Sequence, residues 1–128
     1  MPDYKEDIKN RKDLHRFVTK FYEKLLIDIE LRPFFEHLIQ QDHIGQHVEI
    51  ITDFWNSILF NTLDYQRNAM QPHLELNKTI HFEKHHFKAW LKHFNTTMDE
   101  NFKGKKTEMA KTRALSIATV MEIKMINL

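Results

Sequence analysis

An all-α fold is the architecture this sequence predicts, and three observations predict it. Glycine is scarce, with only Gly45 and Gly104 in 128 residues, and proline is limited to Pro2, Pro33 and Pro72. The many tight turns of an all-β fold therefore lack their usual residues. Apolar residues return at intervals of three and four through most of the chain, which is the period of one helical face. An apolar share of 41% with 29% charged residues is the composition of an ordinary globular chain. A chain of this length suits one domain, spanning 1–128, that folds without disulfide or metal staples.

The elements follow in order. Asn10, three residues before Asp13, has the short oxygen-bearing side chain that accepts a free backbone N–H at a helix start. Leu14, Phe17, Val18, Phe21, Tyr22 and Leu25 then mark the apolar face of a first helix. Pro33 sits just inside a short second element, Arg32–His37. Asp42 is the expected cap of a third helix with the stripe Ile44, Val48, Ile51, Trp55 and Ile58. From Asn61 to Lys78 the periodicity fades, which predicts loop with one helical turn around His73. Thr79 is the expected cap of a long helix to about Asn101, with Phe82, Phe87, Trp90, Leu91, Phe94 and Met98 inward. Gly104 breaks the chain before a last helix carrying Met109, Ala110, Ala114, Ile117, Ala118, Met121 and Met125.

Composition also excludes functions. Two isolated glycines cannot build a glycine-rich phosphate loop. The absence of cysteine removes disulfides, thiolate zinc, iron–sulfur clusters and a thiol nucleophile. Nineteen basic against eighteen acidic residues leave a net charge of +1, with no electrostatic case for nucleic acid or an anionic membrane. The first seven residues are charged and lack the apolar core of a signal peptide. No apolar run reaches the roughly 18 residues of a membrane span. The expectation is a cytoplasmic protein without nucleic-acid or membrane partners.

Nine histidines offer metal ligands. The pairs His43/His47 and His81/His85 are each spaced by four, so each could chelate a metal from one helix face. His81, His85 and His86, interleaved with Lys84 and Lys88, read as a solvated face. His47 lies beside the inward stripe of the third helix. His73 follows Pro72 in the aperiodic stretch. Tyr22 and Trp90 sit on apolar stripes, where each needs a partner for its O–H or N–H if buried.

Taken together these features form a pattern. Phe21-Tyr22-Glu23-Lys24-Leu25, Pro33-Phe34-Phe35, His47 eight residues before Trp55, His73-Leu74-Glu75-Leu76 and Phe87-Lys88-Ala89-Trp90-Leu91 follow one another in an order that resembles the truncated haemoglobins. The spacing is most similar to their third group. The resemblance runs from about residue 7 to about residue 121. It implies a two-over-two helical sandwich around haem b (iron protoporphyrin IX), with a very short proximal helix. It further implies His73 as the proximal iron ligand, Phe35 as the aromatic wedge on the haem face, and Tyr22, His47 and Trp90 as the distal ligand-stabilising group. Ile51 falls over the haem, one turn beyond His47. Tyr65-Gln66-Arg67 departs from the family, which usually has glycine at the position of Arg67. Tyr65, Arg67 and Lys78 are candidates for the haem propionates by position.

The chemistry of such a pocket suits these residues. A flat apolar macrocycle wants aromatic and aliphatic walls, which Phe35, Ile51, Phe54, Phe87 and Met121 can supply. One neutral imidazole anchors the iron and leaves the opposite face of a pentacoordinate metal open. The Tyr22 O–H and Trp90 N–H, with His47 as a third group or a gate, are donors for polarised oxygen. The implied ligands are oxygen, nitric oxide, carbon monoxide and peroxide, bound reversibly. Two or three donors slow oxygen release. That favours reaction of oxygen or peroxide with nitric oxide, supported by an unidentified reductase, over bulk oxygen transport. Whether the protein turns over as an enzyme is left open. Two further readings stand beside this one: a haem-dependent sensor or interaction module, and a helical non-haem metal protein using the His43/His47 or His81/His85 pairs.

Overall fold

The computed structural model describes residues 4–62 and 70–126. Its regular structure is helical, as the periodicity predicts: α1 (Arg11–Ile27), a 3₁₀ turn (Arg32–Phe35), α2 (Glu36–Gln40), α3 (Ile44–Phe60), α4 (Met70–Thr79), α5 (Lys84–Asn101) and α6 (Lys105–Ile126). None of these helices is long and apolar enough to cross a membrane.

The first helix starts as expected, with the Asn10 side chain accepting the Asp13 N–H at 3.0 Å. Its buried stripe includes Leu14, Phe17, Val18, Phe21, Tyr22 and Leu25. At the other end Asp28 stops the helix, donating its N–H to the Leu25 carbonyl and accepting from His93 Nε2 at 2.6 Å. Pro33 opens the 3₁₀ turn, where its fixed φ suits the geometry and its missing N–H is not needed.

Three boundaries differ from the sequence reading, each for a physical reason. Asp42 does not cap α3. It adopts a left-handed conformation (φ 58°) and turns the chain, and His43 occupies the capping position without a side-chain bond. Aspartate tolerates that conformation better than most residues, so here it is spent on the reversal.

The stretch around His73 forms a ten-residue helix rather than a single turn. Pro72 lies in its first turn, where backbone N–H groups have no intrahelical acceptor anyway. Leu74, Leu76 and Ile80 pack against the cluster of Phe34, Phe82 and Met125. Long-range burial therefore stabilises a helix whose own periodicity is weak.

Thr79 ends that helix instead of starting the next. The Asn77 side chain accepts the Phe82 N–H at 2.7 Å, and α5 begins only at Lys84. At its start His86 Nδ1 takes the Glu83 N–H at 2.9 Å, the reciprocal half of a capping box, while the His86 N–H donates to the Glu83 carbonyl at 3.0 Å.

Packing closes a ring of four long helices: α1 lies against α3 and α5, α5 against α6, and α6 against α3. Phe17, Phe21 and Phe94 interlock at its centre, with Phe94 edge-on to Phe17 at 4.9 Å and to Phe21 at 5.4 Å. Each such ring, fully withdrawn from water, contributes on the order of 2–3 kcal/mol. The N-terminal segment is tied down by Asp7, whose carboxylate accepts the N–H groups of Lys106 and Thr107 at 2.7 and 2.9 Å. This caps α6 just after Gly104, whose φ of 151° favours glycine.

Candidate functional site

The ring of helices does not fill its own interior. A cavity of about 1000 Å³, counted out to its mouth, opens between the main core and the smaller cluster beneath α4. Tyr22 and Phe21 enter it from α1, Phe34 and Phe35 from the 3₁₀ turn, and Ile51, Phe54 and Trp55 from α3. His73 enters from α4, His86, Phe87 and Trp90 from α5, and Ile117, Ala118 and Met121 from α6. Eight residues expected at the site thus meet in one space: Tyr22, Phe35, Ile51, Phe54, His73, Phe87, Trp90 and Met121. Tyr65 and Arg67 lie outside the described residues. Lys78 is exposed and sits 3.5 Å from Glu75.

His47 stands behind Tyr22 rather than on the cavity wall. Its Nε2 lies 2.8 Å from the Tyr22 hydroxyl, and the two rings meet edge to face at 5.2 Å. Burial, aided by nearby His73 and His37, lowers the His47 pKa to about 4, so the ring is neutral at physiological pH. Burial alone pushes the Tyr22 phenol up, so it keeps its proton and remains a donor. The Tyr22 ring is held by Phe21 at 5.7 Å and Phe35 at 5.5 Å. Trp90 stacks on Phe94 at 5.4 Å and meets Phe21 at 5.5 Å. These contacts fix the phenol and the indole before any ligand arrives.

Two imidazoles, His73 and His86, line the cavity. The sequence reading placed His86 on a solvated face, and the structure corrects this. Its side chain is only 11% exposed and meets Phe34 edge-on at 4.8 Å. The lysines on either side obscured that contact, because the 3₁₀ turn it packs on is distant in sequence. Both His86 nitrogens are directed away from the cavity, Nδ1 to the Glu83 N–H at 2.9 Å and Nε2 toward Glu30 at 4.0 Å. The ring therefore presents carbon to the interior. Phe34 and Phe82, stacked at 4.3 Å, were also missed as wall residues. Phe82 reaches the His73 ring at 6.2 Å.

The two histidine pairs considered for a non-haem metal are not assembled as such. His81 precedes α5 and does not share its helix face with His85. His43 is exposed at the start of α3, while His47 turns to Tyr22. Neither pair belongs to a group of three ligating side chains among the described residues.

Six α-helices among the described residues, four of them closing around an apolar cavity that receives a histidine, match a truncated globin fold. No protein-family model matches the chain. It is similar to the group 3 truncated hemoglobin Ctb of Campylobacter jejuni, at 27% identity over 112 residues and 86% of each chain. The fold is similar to that of the crystal structure of the group III truncated hemoglobin from Campylobacter jejuni, with a TM-score of 0.84, 25% identity and 95% of each chain covered. The resemblance seen in the sequence thus extends to the fold. Together they support a truncated globin fold.

Proposed function

We propose that the cavity holds haem b, whose iron His73 would ligate, while Tyr22, His47 and Trp90 would govern the small ligands that it binds. The observation that carries this reading is the gathering of His73, Tyr22 and Trp90 from three different helices around one apolar space. The residues fit such a group. The walls are aromatic and aliphatic, the polar side chains are few, and the other cavity imidazole holds its Nδ1 on the Glu83 N–H and turns its Nε2 toward Glu30. When bound, haem supplies an iron that exchanges diatomic ligands and polarises oxygen.

The protein's part is to hold, orient and shield. Phe35 and Ile51 present apolar surface to the ring, while Phe54, Phe87 and Met121 exclude water. Neutral His47, in the tautomer with its proton on Nε2, donates to the Tyr22 oxygen and leaves the phenolic O–H free to point into the cavity. The Trp90 indole N–H has no acceptor among the described residues, so it is available as a second donor. Rigid donors in a dry site favour a ligand that gathers negative charge over a neutral one.

Oxygen and nitric oxide are the ligands this arrangement suits best, with carbon monoxide held less selectively. Slow oxygen release favours reaction of oxygen or peroxide with nitric oxide or a reductant over carriage. Such a reaction needs an electron donor, which a separate reductase supplies. Optical spectra of the purified protein in ferric, ferrous and oxygenated forms test the reading, with an intense Soret band expected. His73→Ala should lose the axial ligation and hold haem weakly. A colourless protein that does not take up added hemin, or a His73→Ala variant with an unchanged ferrous spectrum, overturns it.

A further inference from the structure

We propose that Glu30, His85 and His86 form a divalent metal site on the outer side of the cavity wall, with a ligand set suited to zinc. One potential ligand atom from each side chain lies within 4.8 Å of the other two. Glu30 Oε2 is 3.2 Å from His85 Nε2 and 4.0 Å from His86 Nε2. Adjacent residues on a helix splay apart by about 100° and do not normally face a common point. Here the two rings lie 4.1 Å apart and converge on one carboxylate from the corner between α1 and the 3₁₀ turn. Two imidazoles and a carboxylate make a three-ligand zinc set, with a fourth position for water.

Carboxylates stand beside both rings. His85 presents Nε2 to the shared carboxylate while Nδ1 lies 3.7 Å from Glu83 Oε2. Burial and the neighbouring His85 lower the His86 pKa, against the raising effect of the Glu83, Glu30 and Asp28 carboxylates.

Metal binding also has a structural consequence. A His86 ring that ligates through Nε2 carries its proton on Nδ1, so it can no longer accept the Glu83 N–H. The site is thereby coupled to the capping box of α5, the helix that carries Trp90. It is coupled as well to Phe34, the cavity-wall ring that His86 touches. None of this depends on what the cavity binds.

Titration calorimetry of Zn²⁺ into the purified protein tests the site. One saturable site is expected, weakened by at least about tenfold in Glu30→Gln and in His85→Ala. His81→Ala should leave the affinity unchanged. The Glu83 amide resonance should shift as zinc saturates. Both weakening substitutions fall on side chains more than half exposed, so the fold is expected to survive them. Absence of saturable binding overturns the proposal, as does equal affinity in wild type and both variants. Weakening shared equally with His81→Ala would identify nonspecific surface imidazole binding and overturn it too. A still Glu83 amide at saturation would show that His86 is not a ligand and would overturn the three-residue site.

Discussion

Replacing Tyr22 by phenylalanine removes one oxygen atom and leaves the ring in place, so its two effects can be worked out separately. For stability, the loss is the 2.8 Å contact with His47 Nε2. The ring keeps its neighbours Phe21, Phe35 and His47, so no large void opens. A net intramolecular hydrogen bond contributes about 0.5–1.5 kcal/mol. For a chain of this size that corresponds to a Tm lower by about 3–5 °C per kcal/mol. For ligand binding, the loss is a donor in a dry apolar pocket, where a hydrogen bond to a charged acceptor contributes about 1.5–3 kcal/mol. Oxygen dissociation from the haem-loaded protein should accelerate by about 10- to 100-fold. Carbon monoxide, which gathers little charge, should dissociate at nearly the wild-type rate. Stopped-flow displacement of oxygen and of carbon monoxide measures both. A double-mutant cycle with His47→Leu should reveal coupling, because the two groups share one bond. Equal acceleration for both gases, or none for oxygen, would refute the assignment of Tyr22 as a charge-selective donor.

Further outcomes follow from other contacts. Trp90→Phe should accelerate oxygen release about tenfold with little loss of stability, since the ring stacking on Phe94 is retained; an unchanged off-rate would exclude the indole as a donor. Gly104→Ala should destabilise the fold by about 2 kcal/mol or more in urea unfolding. The positive φ strains any side chain, and the Asp7 carboxyl already fills the space a Cβ needs. Burial pushes the Asp7 pKa up, but hydrogen bonds from Lys106, Thr107 and Ile8 outweigh it and hold the group below 3.8. Because the folded value is depressed, this stabilisation is complete above the ordinary carboxylate range and fades as pH falls through it. Asp7→Ala should therefore cost about 1–2 kcal/mol near neutrality and progressively less in acid. Thermal melts across that range check this, and a constant difference would show that charge plays no part.

The sequence by itself determined the helices whose stripes are strong and the side chains that those stripes turn inward. Asn10 at the start of α1, the apolar stripe of α3 and the break at Gly104 are local signals, read from residues within a turn or two of one another. The tyrosine, the tryptophan and His73 were legible through the resemblance to the truncated haemoglobins, and the structure brings them to one cavity. Other features depended on partners far along the chain. The length of α4 is set by Phe34, Phe82 and Met125, which no window around His73 contains. The inward turn of His86 required the 3₁₀ turn some fifty residues earlier, and the convergence of Glu30 with His85 and His86 required the same corner. Helical period is an intramolecular property of a short segment, whereas burial is decided by what packs against it. Only the tertiary structure could therefore say which weakly patterned residues became wall, ligand or surface.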